Sequence, residues 1–291
     1  MIEAWLIYNK TGAKINAAYI NWFILEAEKQ GIHLKLVIRE NLSIGIQNNK
    51  PVIFLGDAIV SPPKVAVVRT IDPLLSLHLE QIGIAVFNSA EVARICNHKG
   101  LTHHIVNQLE IPMLDTFYYT KTALPLQPPL EYPFVIKNVH GKGGTEVFFI
   151  KNELEWTQSK DKLEQEIILQ TTDVQLGKDL RVYIIGKEII ASVLRESNAD
   201  FRANFTLGGH ASLYKLNEDE ENIINKITSH FDFDLVGIDF LIGKNGELLF
   251  NEIEDSVGSR TLSKLSDINL LEHYTSHILK KMNARKNFFC K

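Results

Sequence analysis

Two apolar runs, 234–242 (DLVGIDFLI) and 247–253 (ELLFNEI), flank Gly243-Lys244-Asn245-Gly246. Asn-Gly between apolar runs is a strong hairpin signal. With Asn245 and Gly246 as the turn, Lys244 faces Glu247, and counting back sets Asp239 opposite Glu252. Opposed residues share a face, and Glu254, two further on, joins them. Three carboxylates on one face repel: a like-charge pair at ~4 Å costs about 4 kcal/mol at an effective dielectric of roughly 20. Either an oxygen-ligated divalent cation, Mg²⁺ or Mn²⁺, sits against Asp239, Glu252 and Glu254, or the face is a solvated acidic strand neutralised by Lys and Arg.

A second group of residues has the chemistry of anion binding. Lys137 ends the strand signal 134–137 (FVIK), and His140-Gly141-Lys142-Gly143-Gly144-Thr145 follows. A glycine-rich loop between two strands brings backbone N–H groups close to a phosphate; a flexible hairpin is the plain alternative. It is not a Walker loop, because G-x-x-x-x-G-K-[ST] is absent and no helix follows the glycines. Lys99 opens a helix signal over 99–109, where the macrodipole disfavours a cation. It is either a surface lysine or a second phosphate ligand. Asp179-Leu180-Arg181 sets an acid and a base on one strand face; Arg195 ends the partner strand, and Arg202 and Asn204 lie in the loop beyond. Singly these arginines read as surface charge. Converging on Asp239 and Glu252, they suit planar recognition of phosphate or carboxylate oxygens. His103 and His104 are adjacent and face different sides of a helix; no G-x-S-x-G, H-E-x-x-H or C-x-x-C occurs.

The elements that must position these residues fall into two grammars. Strand signals at 2–8, 33–38, 64–69 and 84–87 alternate with helix signals at 16–30 and 73–82, which argues for a doubly wound parallel sheet. After a helix capped by Ser89 and the helix at 99–109, the chain changes. Strands at 116–120, 134–138, 146–150, 167–170, 180–186, 188–195, 234–242 and 247–253, with helices near 152–165, 217–231 and 267–282, read as mostly antiparallel α+β. The 291 residues are 45% hydrophobic and 23% charged, with a net charge of −4. That excludes a disordered chain and weighs against a general nucleic-acid partner, which calls for a basic surface. Cys96 and Cys290 make neither a disulfide framework nor a zinc pattern. No apolar run reaches the roughly 18 residues that span a bilayer, and the N-terminus lacks a basic leader. A soluble cytoplasmic protein with no membrane partner is expected.

In order and spacing these motifs resemble the ATP-grasp superfamily and, within it, the RimK-like ligases that add glutamate to a protein C-terminus. The resemblance runs from about Ser89 to Ile278. It rests on Lys99, F-V-I-K at 134–137, G-K-G-G at 141–144, D-L-R at 179–181, R-E-S at 195–197, F-R-A-N-F at 201–205, G-G-H-A-S at 208–212, G-I-D at 237–239 and N-E-I-E at 251–254. It implies an N-terminal α/β domain over 1–95, a small lobe with the glycine loop over 96–175, and a C-terminal lobe with the metal site over 176–286. ATP would lie between the lobes, with Lys99 and Lys137 on its α- and β-phosphates and Gly141, Gly143 and Gly144 over them. The hinge Gln170, Thr171, Thr172 and Asp173 would meet adenine. Asp173 or Asp179 would meet the ribose, with Arg181 alongside. Asp239, Glu252 and Glu254 would hold Mg²⁺, and Arg195, Arg202 and Asn204 would lie near the transferred phosphoryl group. The implied activity is carboxylate–amine ligation through an acyl phosphate, on an amino acid or peptide, in a chain that can form a homo-oligomer. A phosphotransferase on the same fold and a non-catalytic nucleotide-binding protein are the alternatives. Three positions depart from the family pattern. Glu254 stands where Asn is common, Thr171-Thr172 where an acidic–aromatic pair is common, and Asp255 to Arg260 where a short Pro-Gly turn is common. The last change makes Arg260 a candidate for the acceptor site.

Overall fold

Strand Ile2–Tyr8 carries five successive buried residues, Ala4 to Tyr8, as a strand covered on both faces must. In the computed structural model, which describes residues 1–141, 146–198, 200–203 and 209–289, it lies inside a four-stranded parallel sheet. The strand order is Ile32–Ile38, Ile2–Tyr8, Val65–Val68, Ala85–Phe87. Helix Ala17–Lys29 packs Ile20, Phe23 and Ala27 with Leu6 and Val67, while helix Pro73–Gln81 packs Leu75 and Leu79 with Ile7 and Ala66 on the other face. Asp72 caps the second helix by accepting from Leu75 N, and Pro73 fills its first position.

Residues 39–63 carry no clear helix or strand signal in the sequence. They form a three-stranded antiparallel sheet, Leu42–Gln47, Lys50–Leu55 and Ala58–Ile59. Gln47 and Lys50 flank a turn whose Asn48 and Asn49 have φ of 51° and 59°, the left-handed region that Asn tolerates. Its apolar pattern is weak because Ile46 and Ile59 face water.

Two antiparallel sheets follow. The smaller runs Val147–Ile150, Phe134–Asn138, Glu166–Gln170, Thr116–Thr120, and buries Phe134, Ile136, Ile167 and Leu169 against Trp156 of helix Glu153–Ser159. The larger runs His210–Leu213, Glu188–Glu196, Val174–Ile185, Leu235–Gly243, Leu248–Glu254. One of its faces packs on helices Ala90–Cys96, Lys99–Gln108 and Glu218–His230. Residues of its other face, Tyr183, Val193 and Leu235, share a single core with Leu6, Phe23, Leu271 and Tyr274. The long helix Leu270–Phe289 therefore cements the parallel sheet to the larger antiparallel one. Asn88 fixes the same junction: its side chain donates to Leu235 O and Asp255 O, and accepts from Asp234 N and Leu235 N. Helix Arg260–Leu265 was not anticipated, being short and without a side-chain cap. No helix of the described residues is long and apolar enough to cross a membrane.

Candidate functional site

The carboxylate hairpin closes differently from the two-residue expectation. Gly243 N donates to Glu247 O at 2.8 Å and Gly246 N donates to Gly243 O, with Gly246 at φ 92°. This is a three-residue loop, with glycine at the position that needs positive φ. Ile242 therefore faces Leu248 and Phe240 faces Phe250. Continued unchanged, that register would set Asn251 against Asp239. A β-bulge intervenes: Asn251 is the extra residue, and Asp239 faces Glu252 after all. The longer loop and the bulge cancel. The bulge also breaks alternation, so that Asn251 and Glu252 both line the same cavity, as does Glu254.

The neighbouring strands answer the charge problem raised by the acidic face. Cross-strand register sets Arg181 opposite Asp239, and Arg195 opposite Asp179. Arg181 grips Asp239 bidentately, Nε to Oδ1 at 2.8 Å and Nη2 to Oδ2 at 2.7 Å. Arg195 Nη2 donates to Oδ2 of both Asp239 and Asp179 at 2.9 Å. Arg181 Nη2 also lies 2.8 Å from Glu254 Oε2. Asp239 is only 2% exposed. Burial works against its ionisation, but the charges and hydrogen bonds of Arg181 and Arg195 overcome this and hold its carboxyl well below the usual range. Asp179 moves the other way, pushed up to about 6 by burial and by the charge of Asp239, against the pull of Arg195.

Across from this face stand two lysines. Lys137, buried on strand Phe134–Asn138, donates to Asn251 Oδ1 at 2.7 Å. Burial lowers its pKa to about 8, with Lys99 adding to the effect and Glu252 opposing it. Lys99, first residue of its helix, lies 3.3 Å from Glu252 Oε2 and donates to Gly141 O. The same helix buttresses the bulge from behind. His103 is buried, which drops its pKa to about 4, so its neutral Nε2–H donates to Asn251 O at 2.7 Å. The sequence reading missed Asn251; only the bulge, which depends on these contacts, reveals it. His98, His140 and Glu166 gather nearby. His98 Nδ1 accepts from Leu101 N as the helix cap, however, so its Nε2 carries a proton and faces Glu166 as a donor.

The two lysines, Asn251 and the arginine–carboxylate face line one cavity of about 620 Å³, within the span of small-molecule sites. Lys99, Lys137, Gly141, Gln170, Thr171, Thr172, Asp179, Arg181, Arg195, Arg202, Asp239, Glu252 and Glu254 all border it. Leu114, Val135, Val147, Val174 and Leu241 supply an apolar wall suited to a flat ring. Gln170 is buried and donates to Thr116 Oγ1, and Thr171 N donates to Asp115 O, which fixes the hinge backbone. Arg202 is ion-paired with Asp200. Gly143, Gly144 and Asn204 lie outside the described residues.

Asp173 is not brought to the cavity. Its side chain is 71% exposed and pairs with Lys244, itself 66% exposed, at 2.6 Å. An exposed pair of this kind contributes about 0–1 kcal/mol. Asp173→Ala is expected to leave the affinity of the cavity for its ligand unchanged and to shift stability by no more than that, as binding titration and urea unfolding would read. A several-fold loss of that affinity would return Asp173 to the site.

The chain is similar to known proteins over most of this geometry. Residues 100–278 match the RimK-like ATP-grasp domain. β-Citrylglutamate synthase B of Danio rerio is 25% identical over 279 residues, covering 88% of this chain and 68% of the relative. Among solved structures, a RimK domain protein from Sphaerobacter thermophilus superposes with a TM-score of 0.73 at 14% identity, over 95% of this chain and 99% of that one. A RiPP-associated ATP-grasp ligase from Chryseobacterium gregarium, in complex with ADP and a leader and core peptide, gives 0.69 at 15% identity, covering 97% of each chain.

Proposed function

The chain belongs to the RimK-like ATP-grasp family, and from that premise we propose that it is an ATP-dependent ligase joining a carboxylate to an amine on an amino acid or a peptide. The observation that carries this reading is the meeting, in one cavity, of two lysines, an arginine–carboxylate face and an apolar wall. The apolar wall and the hinge Gln170–Thr172 take the base. Lys99 and Lys137 take phosphate oxygens, and Gly141, which has no side chain, lets the backbone come close to them. Asp179 is the acid for the sugar. The names of the relatives, a citrylglutamate synthase and a ligase bound to a leader and core peptide, support an amino acid or peptide as the substrate class.

Such a site implies Mg²⁺, and the donor set fits. Glu252 and Glu254 have side chains 34% and 33% exposed along the cavity wall, and oxygen-only ligands suit this ion. Asp239 stands behind them, its charge fixed by Arg181 and Arg195. When bound, Mg²⁺ neutralises charge on the phosphate oxygens. The remaining work belongs to the chain. A substrate carboxylate oxygen attacks the γ-phosphorus and ADP leaves, giving an acyl phosphate. An amine nitrogen then attacks the acyl carbon, phosphate leaves, and the amine's surplus proton passes to phosphate or solvent. Arg195 and Arg202 stabilise the oxygens on which charge accumulates.

This reading requires ADP and phosphate to be released only when both an acid and an amine are supplied, with an amide as product. A screen of amino acids and short peptides by coupled ADP release, followed by mass spectrometry of the product, is the test. ADP release with a stable phosphorylated product and no amide would make the chain a phosphotransferase instead. Nucleotide binding without turnover on any pair would make it a binding protein.

A further inference from the structure

Beyond the arginine–carboxylate face, the cavity continues onto the N-terminal domain, where Asn16, Tyr19, Trp22 and Arg69 line it. Arg69 follows strand Val65–Val68 and turns its guanidinium inward. Nη2 donates to Val257 O at 2.8 Å and to Ser256 O at 3.1 Å, and Nε donates to Tyr8 Oη at 3.3 Å. All three acceptors are uncharged. Arg39, Arg181, Arg195 and Arg202 each pair with a carboxylate; among the described residues Arg69 has none. The guanidinium stays charged at any working pH, and Arg69 is half-buried, so its charge is partly withdrawn from water without a counter-ion.

A second group beside it is also incomplete. The Arg69 guanidinium lies 5.3 Å from the centre of the Tyr19 ring. Tyr19 Oη is buried and finds no hydrogen-bond partner. Burial pushes the phenol up to about 12, so it remains a donor. Trp22 stands edge-on to the same ring at 6.1 Å. Nε and Nη2 of Arg69 are spent on Tyr8 Oη, Ser256 O and Val257 O, which leaves Nη1 without an acceptor among the described residues; a cation with a donor to spare, next to an unpartnered hydroxyl on a residue that lines the same cavity, calls for an oxyanion such as a carboxylate.

We propose that Arg69 and Tyr19 form a subsite for a carboxylate that the reaction does not consume, so that the amine-bearing substrate is an amino acid or dipeptide held by its own free carboxylate. A carboxylate whose oxygens are both engaged by an arginine and a tyrosine has none free to attack phosphorus, so the group held here is a spectator. The carboxylate to be activated belongs nearer Arg195 and Arg202. The proposal rests on the ligase reading for its identification of the amine substrate, but its binding test does not.

The probes are the proteinogenic L-amino acids and a dipeptide set, each beside its α-carboxamide, titrated by calorimetry into the full chain loaded with Mg²⁺ and ADP. At least one free acid should bind about ten-fold or more tighter than its carboxamide, the worth of charge-assisted hydrogen bonds. Arg69→Gln should abolish that preference while leaving ADP affinity unchanged. Tyr19→Phe, which removes one oxygen, should reduce the preference several-fold. Arg69→Lys, which keeps the charge should the glutamine variant fail to fold, should retain part of it. An unchanged preference in a folded Arg69→Gln or Tyr19→Phe protein overturns the subsite, as does binding by none of the free acids. If no acid–amine pair yields an amide but the preference still depends on Arg69, the ligase reading falls and the subsite stands. If amide forms with equal kcat/KM from acid and carboxamide, the ligase reading stands and the subsite falls.

Discussion

Replacing Asp239 by asparagine is expected to cut turnover by about a hundred-fold or more and to destabilise the fold by about 3–5 kcal/mol. The two effects share one cause. Asp239 is buried between Arg181 and Arg195 and receives three of their hydrogen bonds. Asparagine keeps the shape but not the charge, so two desolvated guanidiniums are left with Asp179 and Glu254 as their acidic partners. It also presents an NH₂ where one of the arginine N–H groups needs an acceptor. Both arginines lose the geometry that sets them beside the cavity. The stability difference between wild type and variant should depend on pH in a definite direction. The folded-state pKa of Asp239 is depressed, so its contribution is present above the unfolded value of roughly 3.9 and is lost as pH falls through the lower folded value. Denaturant unfolding at neutral and acid pH, beside ADP release, reads both effects. A folded Asp239→Asn enzyme with ordinary turnover would remove Asp239 from the site.

The sequence made this acid legible, but for a partly mistaken reason. Counting from a two-residue Asn-Gly turn set Asp239 opposite Glu252; the chain reaches that pairing through a three-residue loop and a bulge that offset each other. Apolar runs such as Val65–Val68 announce a buried parallel sheet because burial on both faces leaves a continuous signal. Leu42–Ile59 gave none, since its pattern faces solvent on one side. The glycine loop, the two lysines and the arginines were visible as residue types. Their counter-ions were not, because Asp179 with Arg195 and Arg181 with Asp239 are partnerships of strand register. Asp173 and Asp179 are equally plausible as letters; burial separates them, one facing water beside Lys244 and the other lining the cavity. Arg69 read as the end of a strand, and its chemistry appears only when Ser256 and Val257 are brought against it from the far end of the chain.

Lys137→Met is expected to separate activity from stability. The lysine is buried, and among the described residues its ammonium donates to one neutral acceptor, Asn251 Oδ1, with Glu252 and Lys99 acting on it from further off. Methionine fills nearly the same volume without the desolvated charge and gives up one hydrogen bond, so stability should change by no more than about 1 kcal/mol. On the proposed reading, in which Lys137 takes phosphate oxygens, catalysis should not be spared: loss of such a preorganised cation costs about 2.7–4 kcal/mol, a factor of roughly 10²–10³ in kcat/KM for ATP. The two properties should also part with pH. The folded-state pKa of about 8 lies below the ordinary 10.5, so between these values the unfolded chain binds more protons, and this group makes wild-type stability rise with pH. The methionine variant lacks that rise. Over the same interval the free enzyme loses its Lys137 charge, and wild-type kcat/KM for ATP should fall as pH passes about 8. Stability climbing while nucleotide capture declines is a pairing that a purely structural lysine would not produce. A methionine variant with ordinary kcat/KM for ATP would transfer the phosphate role to Lys99 alone.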